Sequence, residues 1–252
     1  MAMSAETPIA ILSALAEEQE GLLEHLQDAR RVDHGGRVFW TGRLQGLPVV
    51  LALSRIGKVA AATTATGLIT HFGASRVLFT GVAGGVGPGV RVGDVVVGSH
   101  YVQHDMDASP LFPRFEIPLC GQALFAADPP LLATACEAFN RVQPALRTAR
   151  YPAKLHTGLI ASGDRFVSST TEVSALLSAL ASSGYCPLAV EMEGAAVAQV
   201  CADYGVPFVA IRTISDRADD TAHVDFPQFV RETASLYARA FVLEMLGLLS
   251  KR

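Results

Sequence analysis

Apolar residues fall in short runs along the chain, separated by stretches with helical spacing. Ile9–Leu12 reads as a first buried strand, and Glu17 to Asp28 places Leu22, Leu23 and Leu26 on one helical face. Val38–Thr41 and Val49–Leu53 predict two strands joined through the turn formers Gly46 and Pro48. An alanine-rich helix is expected from Lys58 to Phe72, then strands at Val77–Thr80 and Val95–Val97, and a helix from Pro129 to Asn140. Leu159–Ser162 and Leu188–Glu191 read as further strands, Glu193 to Tyr204 as a helix, Phe208–Thr213 as a strand and Gln228 to Leu249 as a long closing helix. Strand and helix alternate from end to end, which predicts a single α/β domain over residues 9–250 with a central mixed, mostly parallel sheet flanked by helices. Residues 1–8 read as a short tail. Asp105 to Gln122 holds three prolines and no clean period, so it is expected to be a long loop, of the kind that is functional or mobile.

Composition narrows the function classes. Half of the 252 residues are apolar and the net charge is −4, so neither a disordered chain nor the basic face of a nucleic-acid binder is expected. No run of 18 apolar residues occurs, and the most apolar tail, Phe241 to Leu249, is interrupted by Glu244, so no membrane span is expected. MAMSAETP lacks a basic start and a long apolar core, so it does not read as a secretory leader. Cys120, Cys136, Cys186 and Cys201 show no CxxC spacing and read as reduced, buried thiols of a cytoplasmic protein.

Four segments carry candidate chemistry. Gly81 to Gly89 holds five glycines in nine residues after a predicted strand, more than one turn needs, and such loops let a ligand approach the backbone. It is not a P-loop, because Val59 follows Gly57-Lys58 and Ala52 stands where the first glycine belongs, and its spacing breaks the dinucleotide fingerprint. Glu191-Met192-Glu193 lies where a strand gives way to a helix. Glu193 there suits a helix cap, while a charge on Glu191 at the end of an apolar strand requires a partner, so one of the two is a site candidate. Ser215-Asp216 closes the strand Phe208–Thr213, where Asp216 suits a turn or a helix N-cap and Ser215 is placed to orient its carboxyl group. Glu17-Glu18, by spacing alone, reads as a solvated first helical turn. His100, His104, Asp105 and Asp107 precede a proline-rich loop and do not form a recognisable metal-ligand pattern.

In order along the chain, Glu17-Glu18, Ser54-Arg55-Ile56-Gly57-Lys58-Val59-Ala60-Ala61, Gly81–Gly85, Val92-Gly93-Asp94-Val95-Val96, Ser162-Gly163-Asp164-Arg165-Phe166, Glu191-Met192-Glu193 and Ser215-Asp216 resemble the nucleoside phosphorylase superfamily. Within it they resemble the bacterial 5′-methylthioadenosine/S-adenosylhomocysteine nucleosidases, from about Ile9 to Gly247. The resemblance implies cleavage of the bond between adenine and a 5′-thioribose, with no cofactor or metal. It implies that Glu18 activates water, that Asp216, held by Ser215, serves adenine N7, and that Glu193 accepts ribose hydroxyls. Met192 is implied beneath the ribose and thioether, Phe166 stacked on adenine, the Val167 backbone at its edge, and Phe226 closing over the substrate. Val82, Ala83, Gly84 and Glu191 complete the implied substrate-binding set. A homodimer is implied, with Tyr101 to Gln122 near the partner's site. The sequence departs from the resemblance at Val82, where serine is common, at Leu15, where methionine is common, and across Asp105–Gln122, which borders the 5′ group.

Three other readings remain open. A purine nucleoside phosphorylase needs a phosphate clamp, which Arg55 or Arg212 would have to supply; Glu17 and Glu18 suit water better. A futalosine-type hydrolase would differ in its 5′ group. A non-catalytic nucleoside-binding protein would not need Glu18, Glu193 and Asp216 together.

Overall fold

A computed structural model describes residues 6–146, 153–219, 222, 226, 229–230 and 235–251. Its chain order is β1 (Ile9–Ser13), α1 (Ala16–Leu23), β2 (Gln27–His34), β3 (Arg37–Leu44), β4 (Leu47–Leu53), α2 (Lys58–Thr70), β5 (Arg76–Gly85), β6 (Val95–Gln103) and β7 (Leu124–Ala126). There follow α3 (Pro129–Leu146), β8 (Leu155–Ser162), α4 (Thr170–Ala181), β9 (Pro187–Glu191), α5 (Gly194–Tyr204), β10 (Phe208–Asp216) and a closing helix, α6 (Ser235–Leu249).

All ten strands join one mixed sheet, running β10-β6-β8-β9-β5-β1-β4-β3-β2 with β7 against β6. β5 also pairs with β10, so β5, β10, β6, β8 and β9 close into a ring from which β1 to β4 extend as an open wing. β1 is buried along its whole length between β4 and β5, both parallel to it, which is why it reads as an unbroken apolar run. β5 lies parallel to β1 and β10, but meets β9 in antiparallel sense through two residue pairs, Gly84↔Val190 and Gly85↔Ala189. That short crossing brings the carboxyl ends of β5 and β9 to one point. α2 packs on α5, and α1 and α3 both pack on α6, so these helices work as two groups around the sheet.

Several elements depart from the expectations. The helix expected to run to Asp28 stops at Leu23, and Gln27–His34 forms an exposed edge strand instead. Arg30, Arg31, Asp33 and His34 give it no apolar pattern, and such charges also protect an edge from pairing with other chains. The glycine cluster, expected as a loop after a strand ending at Thr80, is itself strand through Gly85. Helix α4 and strand β7 were absent from the expectation; α4 is started by Ser169, whose hydroxyl accepts from Glu172 N at 3.2 Å. Asp105–Gln122 is irregular as expected, apart from a single bridge between Ile117 and Gln122. The predicted start of the closing helix at Gln228 lies outside the described residues.

Candidate active site

The carboxyl ends of β1, β5, β8, β9 and β10 surround a cavity of about 330 Å³. The twelve residues singled out above, Glu18, Val82, Ala83, Gly84, Phe166, Val167, Glu191, Met192, Glu193, Ser215, Asp216 and Phe226, all border it.

Glu18 is 1% exposed, not the solvated first-turn acid that its spacing suggested. It sits in the first turn of α1 and its side chain turns back on the chain before it. Oε2 accepts from Ala14 N at 2.8 Å and Leu15 N at 2.9 Å, and Oε1 accepts from Val82 N at 3.1 Å. A Cβ on Gly81 would stand 3.1 Å from Oε1, so glycine there lets β5 close against the carboxylate. Burial pushes the Glu18 carboxyl above its usual range, against the opposing pull of these N–H groups and of Arg212. A buried carboxylate fixed in one orientation and raised in basicity is suited to take a proton from water.

Glu191 and Glu193 divide two tasks between them. Glu193 stands at the N-cap of α5 but makes no side-chain cap bond. Glu191 supplies that acceptor: its oxygens receive Glu193 N at 3.2 Å and Gly194 N at 2.9 and 3.0 Å. Glu191 also takes the Ser162 hydroxyl and the Arg212 guanidinium, Nη2 at 2.9 Å and Nε at 3.3 Å. It borders the cavity with both oxygens engaged. Glu193 is thereby released from capping, and its Oε1 accepts from Gly57 N at 2.8 Å across the cavity wall. Burial, then the neighbouring Glu191 charge, push the Glu193 carboxyl up to about 8, so it holds its proton at neutral pH.

Asp216 ends β10. Its Oδ2 accepts from Ser215 Oγ at 2.7 Å and its Oδ1 from Ala218 N at 2.8 Å, so the carboxyl plane is fixed. Phe166, 43% exposed, meets Phe226 edge-on with ring centroids 5.6 Å apart. These rings, with Leu15, Ile56, Val82 and Met192, form an apolar slot between the acids.

Arg212 is the functional residue whose role the sequence left open. It is 1% exposed, lies 4.0 Å over the Phe79 ring, pairs with Glu191 and donates to the carbonyls of Phe79 and Ile211. A charge within an otherwise apolar strand is a signal of the same kind as Glu191 at its strand end, and buried charges come in pairs. Ile56 and Arg165 also border the cavity and were named only within the resembling segments. Among the described residues, no group of three His, Cys, Asp or Glu side chains is placed to hold a metal ion. His104 and Asp105 instead pack against Gly163 and Asp164.

Buried acids gathered at converging strand ends, beside an aromatic slot on a mixed α/β sheet that closes on itself, define an acid–base enzyme of small-molecule substrates. The chain belongs to the phosphorylase superfamily, which it matches over residues 8–247. It is 37% identical over 246 residues to the 5′-methylthioadenosine/S-adenosylhomocysteine nucleosidase of Geobacillus kaustophilus, covering 96% of this chain and 98% of that one. It is 36% identical over 232 residues to the aminodeoxyfutalosine nucleosidase of Helicobacter pylori, covering 92% of this chain and 95% of that one. The Neisseria meningitidis 5′-methylthioadenosine/S-adenosylhomocysteine nucleosidase, solved with methylthio-immucillin-A, superposes with a TM-score of 0.85 at 37% identity, over 96% of this chain and 99% of that one.

Proposed function

We propose that the protein hydrolyses the N-glycosidic bond of 5′-methylthioadenosine and S-adenosylhomocysteine, releasing adenine and the 5′-thioribose. The observation that carries this reading is the gathering of Glu18, Glu193 and Asp216, from three strand ends, around one apolar slot. The relatives named for this activity support the same reading.

The bond breaks through an oxocarbenium-like state, with positive charge on the sugar and negative charge on the leaving base. Asp216 gives its proton to adenine N7 as the C1′–N9 bond lengthens, which stabilises the departing base. Glu18 takes a proton from water as the water oxygen bonds to C1′. Solvent then returns a proton to Asp216 and removes one from Glu18, so the enzyme is restored. Glu193 bonds the ribose hydroxyls, and Met192 lies beneath the sugar and its thioether, where a polarisable apolar side chain suits sulfur. Phe166 stacks on adenine and the Val167 backbone reads its edge.

Water is favoured over phosphate as the nucleophile because, among the described residues, the site offers no open anion clamp. Of the two arginines that border the cavity among the described residues, Arg212 is engaged by Glu191, and Arg165 is exposed and paired with Glu172. Arg55 turns away to the Gly36 carbonyl at 2.6 Å. Leu15, Ile56, Met192 and Phe226 give the slot apolar walls, which suit the methylthio group of 5′-methylthioadenosine.

The same reading includes a homodimer in the cytoplasm. Ile56, Val59, Leu111 and Leu119 are 59%, 77%, 85% and 92% exposed, and a partner surface is the natural cover for such side chains. The four cysteines are all free thiols, though against expectation only Cys201 is buried and Cys120 and Cys186 are exposed on the surface, and no helix among the described residues is long and apolar enough to cross a membrane. Following adenine release from methylthioadenosine, with and without phosphate, tests the activity. Phosphate-independent release is expected; a strict phosphate requirement, or no release, overturns it. Sedimentation at micromolar concentration tests the dimer, and a fully active monomer would overturn that part.

A further inference from the structure

Two sides of the cavity are seated on one helix N-terminus. Gly57 N donates to Glu193 Oε1, and the next residue, Lys58, donates its N–H to Asp164 Oδ1 at 2.6 Å. Asp164 stands shortly before Phe166 and Val167, the segment assigned above to the base. The Asp164 N–H in turn donates to Asp105 Oδ2 at 2.9 Å, and Asp105 Oδ1 accepts from Lys58 Nζ at 2.6 Å. Lys58 thus holds both ends of the chain of contacts, Asp164 by its backbone and Asp105 by its ammonium group. A ring of three residues closes between segments far apart in sequence. Lys58 Nζ also reaches Gln103 Oε1 at 3.1 Å, and Gln103 Nε2 reaches Gln199 Oε1 on α5 at 2.8 Å. The helix that begins beside Glu193 is therefore tied to the same ammonium group.

The ring is tightly built. Gly57 has φ of +93°, and a Cβ there would stand 3.1 Å from Asp164 Oδ1, so only glycine lets the turn and the carboxylate meet without strain. The Lys58 side chain is 15% exposed, which leaves little water to screen its bond to Asp105. Lys58, Asp105 and Asp164 do not border the cavity. Their contacts reach it only through Glu193 and the segment from Arg165 to Val167.

We propose that Lys58, Asp105 and Asp164 form a positioning triad that sets the base-gripping segment Arg165–Val167 against the ribose-binding carboxyl group of Glu193. The inference rests on the assignment of this cavity to adenine release. Small misplacements of binding groups are costly in such sites, because pre-set geometry carries much of the rate and affinity. Asp105→Ala leaves the Asp164 N–H and the Lys58 ammonium without their shared acceptor. Adenine affinity should fall, and KM for methylthioadenosine rise, by about tenfold, the worth of one charge-assisted hydrogen bond, with a smaller drop in kcat. Lys58→Met should match it, and the double variant should be no worse than the poorer single one, because both break one ring. Asp105→Asn keeps an acceptor without the charge and should fall between wild type and Asp105→Ala.

Three measurements on the full chain test this: adenine-release kinetics, calorimetric adenine binding, and hydrogen exchange of amides 163–168. A merely structural role would lower the melting temperature while leaving KM, adenine affinity and the relative exchange of 163–168 unchanged, and that result overturns the proposal. Additive effects of Lys58→Met and Asp105→Ala would also overturn it. A wild-type protein that releases no adenine would strike the assigned activity alone. The triad would still be tested by hydrogen exchange, where Asp105→Ala should speed 163–168 selectively relative to α6.

Discussion

Glu193→Gln isolates a proton that burial holds in the site. Burial and the Glu191 charge raise the Glu193 carboxyl from 4.5 to about 8, against the pull of the Gly57 N–H and of Arg212. Between those values the native state keeps the proton while the unfolded chain releases it. Stability then falls as pH rises, by about 1.4 kcal/mol for each pH unit. The contribution is fully present below 4.5, declines through the interval and is lost above about 8. From pH 5 to pH 7 the decline comes to about 2–3 kcal/mol, a large share of a typical domain stability of about 5–15 kcal/mol. Glutamine keeps the shape and stays neutral, so the variant lacks this slope. Urea denaturation of both proteins at pH 5, 6 and 7 supplies the comparison. Glu18 and Glu191, whose charges act on Glu193, are present in both proteins, so the difference between them reports Glu193 together with its coupling to these two acids. The stability of wild type minus variant should drop by about 2–3 kcal/mol across the series. A difference that stays flat with pH would mean that Glu193 is ionised in the folded protein, and the reasoning would fail.

Three further outcomes follow from the site. Glu18→Gln should lower kcat about 10²- to 10⁴-fold while calorimetry shows adenine still bound, since it removes the base and not the slot; near-normal turnover would exclude Glu18 as the base. Asp216→Asn should lose a similar factor on methylthioadenosine and recover much of it on a nitrophenyl riboside, whose leaving group needs no proton. Equal losses on both substrates would give Asp216 another role. Arg212→Met should destabilise the fold by about 3–5 kcal/mol in denaturant, because it leaves Glu191 buried without its cation, and adding Glu191→Gln should restore part of that loss.

Elements with a period or an unbroken apolar run were legible from the sequence. β1 and β10, buried along their whole length, stand where their apolar runs placed them, as do α2 and α5. β2 was not legible, because an exposed edge strand of charged residues has no buried face to imprint a pattern. α4 was missed although Ser169 and Glu172 carry a helix-start signal; it covers a small cluster around Phe115 and Ala161, apart from the main core. The ring of five strands was illegible for a different reason. It depends on β5 pairing on both sides and at its end, and strand order is not written in the spacing of any one strand.

The site shows the same division. Which residues gather was legible from strand ends and from resemblance, but what each does locally depends on bonds that spacing does not encode. Glu193 stands where a helix-capping acid belongs, yet Glu191, two residues earlier, takes the free N–H groups of α5. That exchange has an electrostatic consequence. Glu191 gains both the helix N-terminus and Arg212, so its charge is neutralised from two sides and can remain buried. Glu193, with a single backbone donor and the Glu191 charge beside it, is the acid that keeps its proton. A protonated carboxyl can both donate to and accept from ribose hydroxyls, whereas a carboxylate only accepts. On the proposed reading, the cap taken by Glu191 therefore sets the chemical form in which Glu193 would meet the sugar.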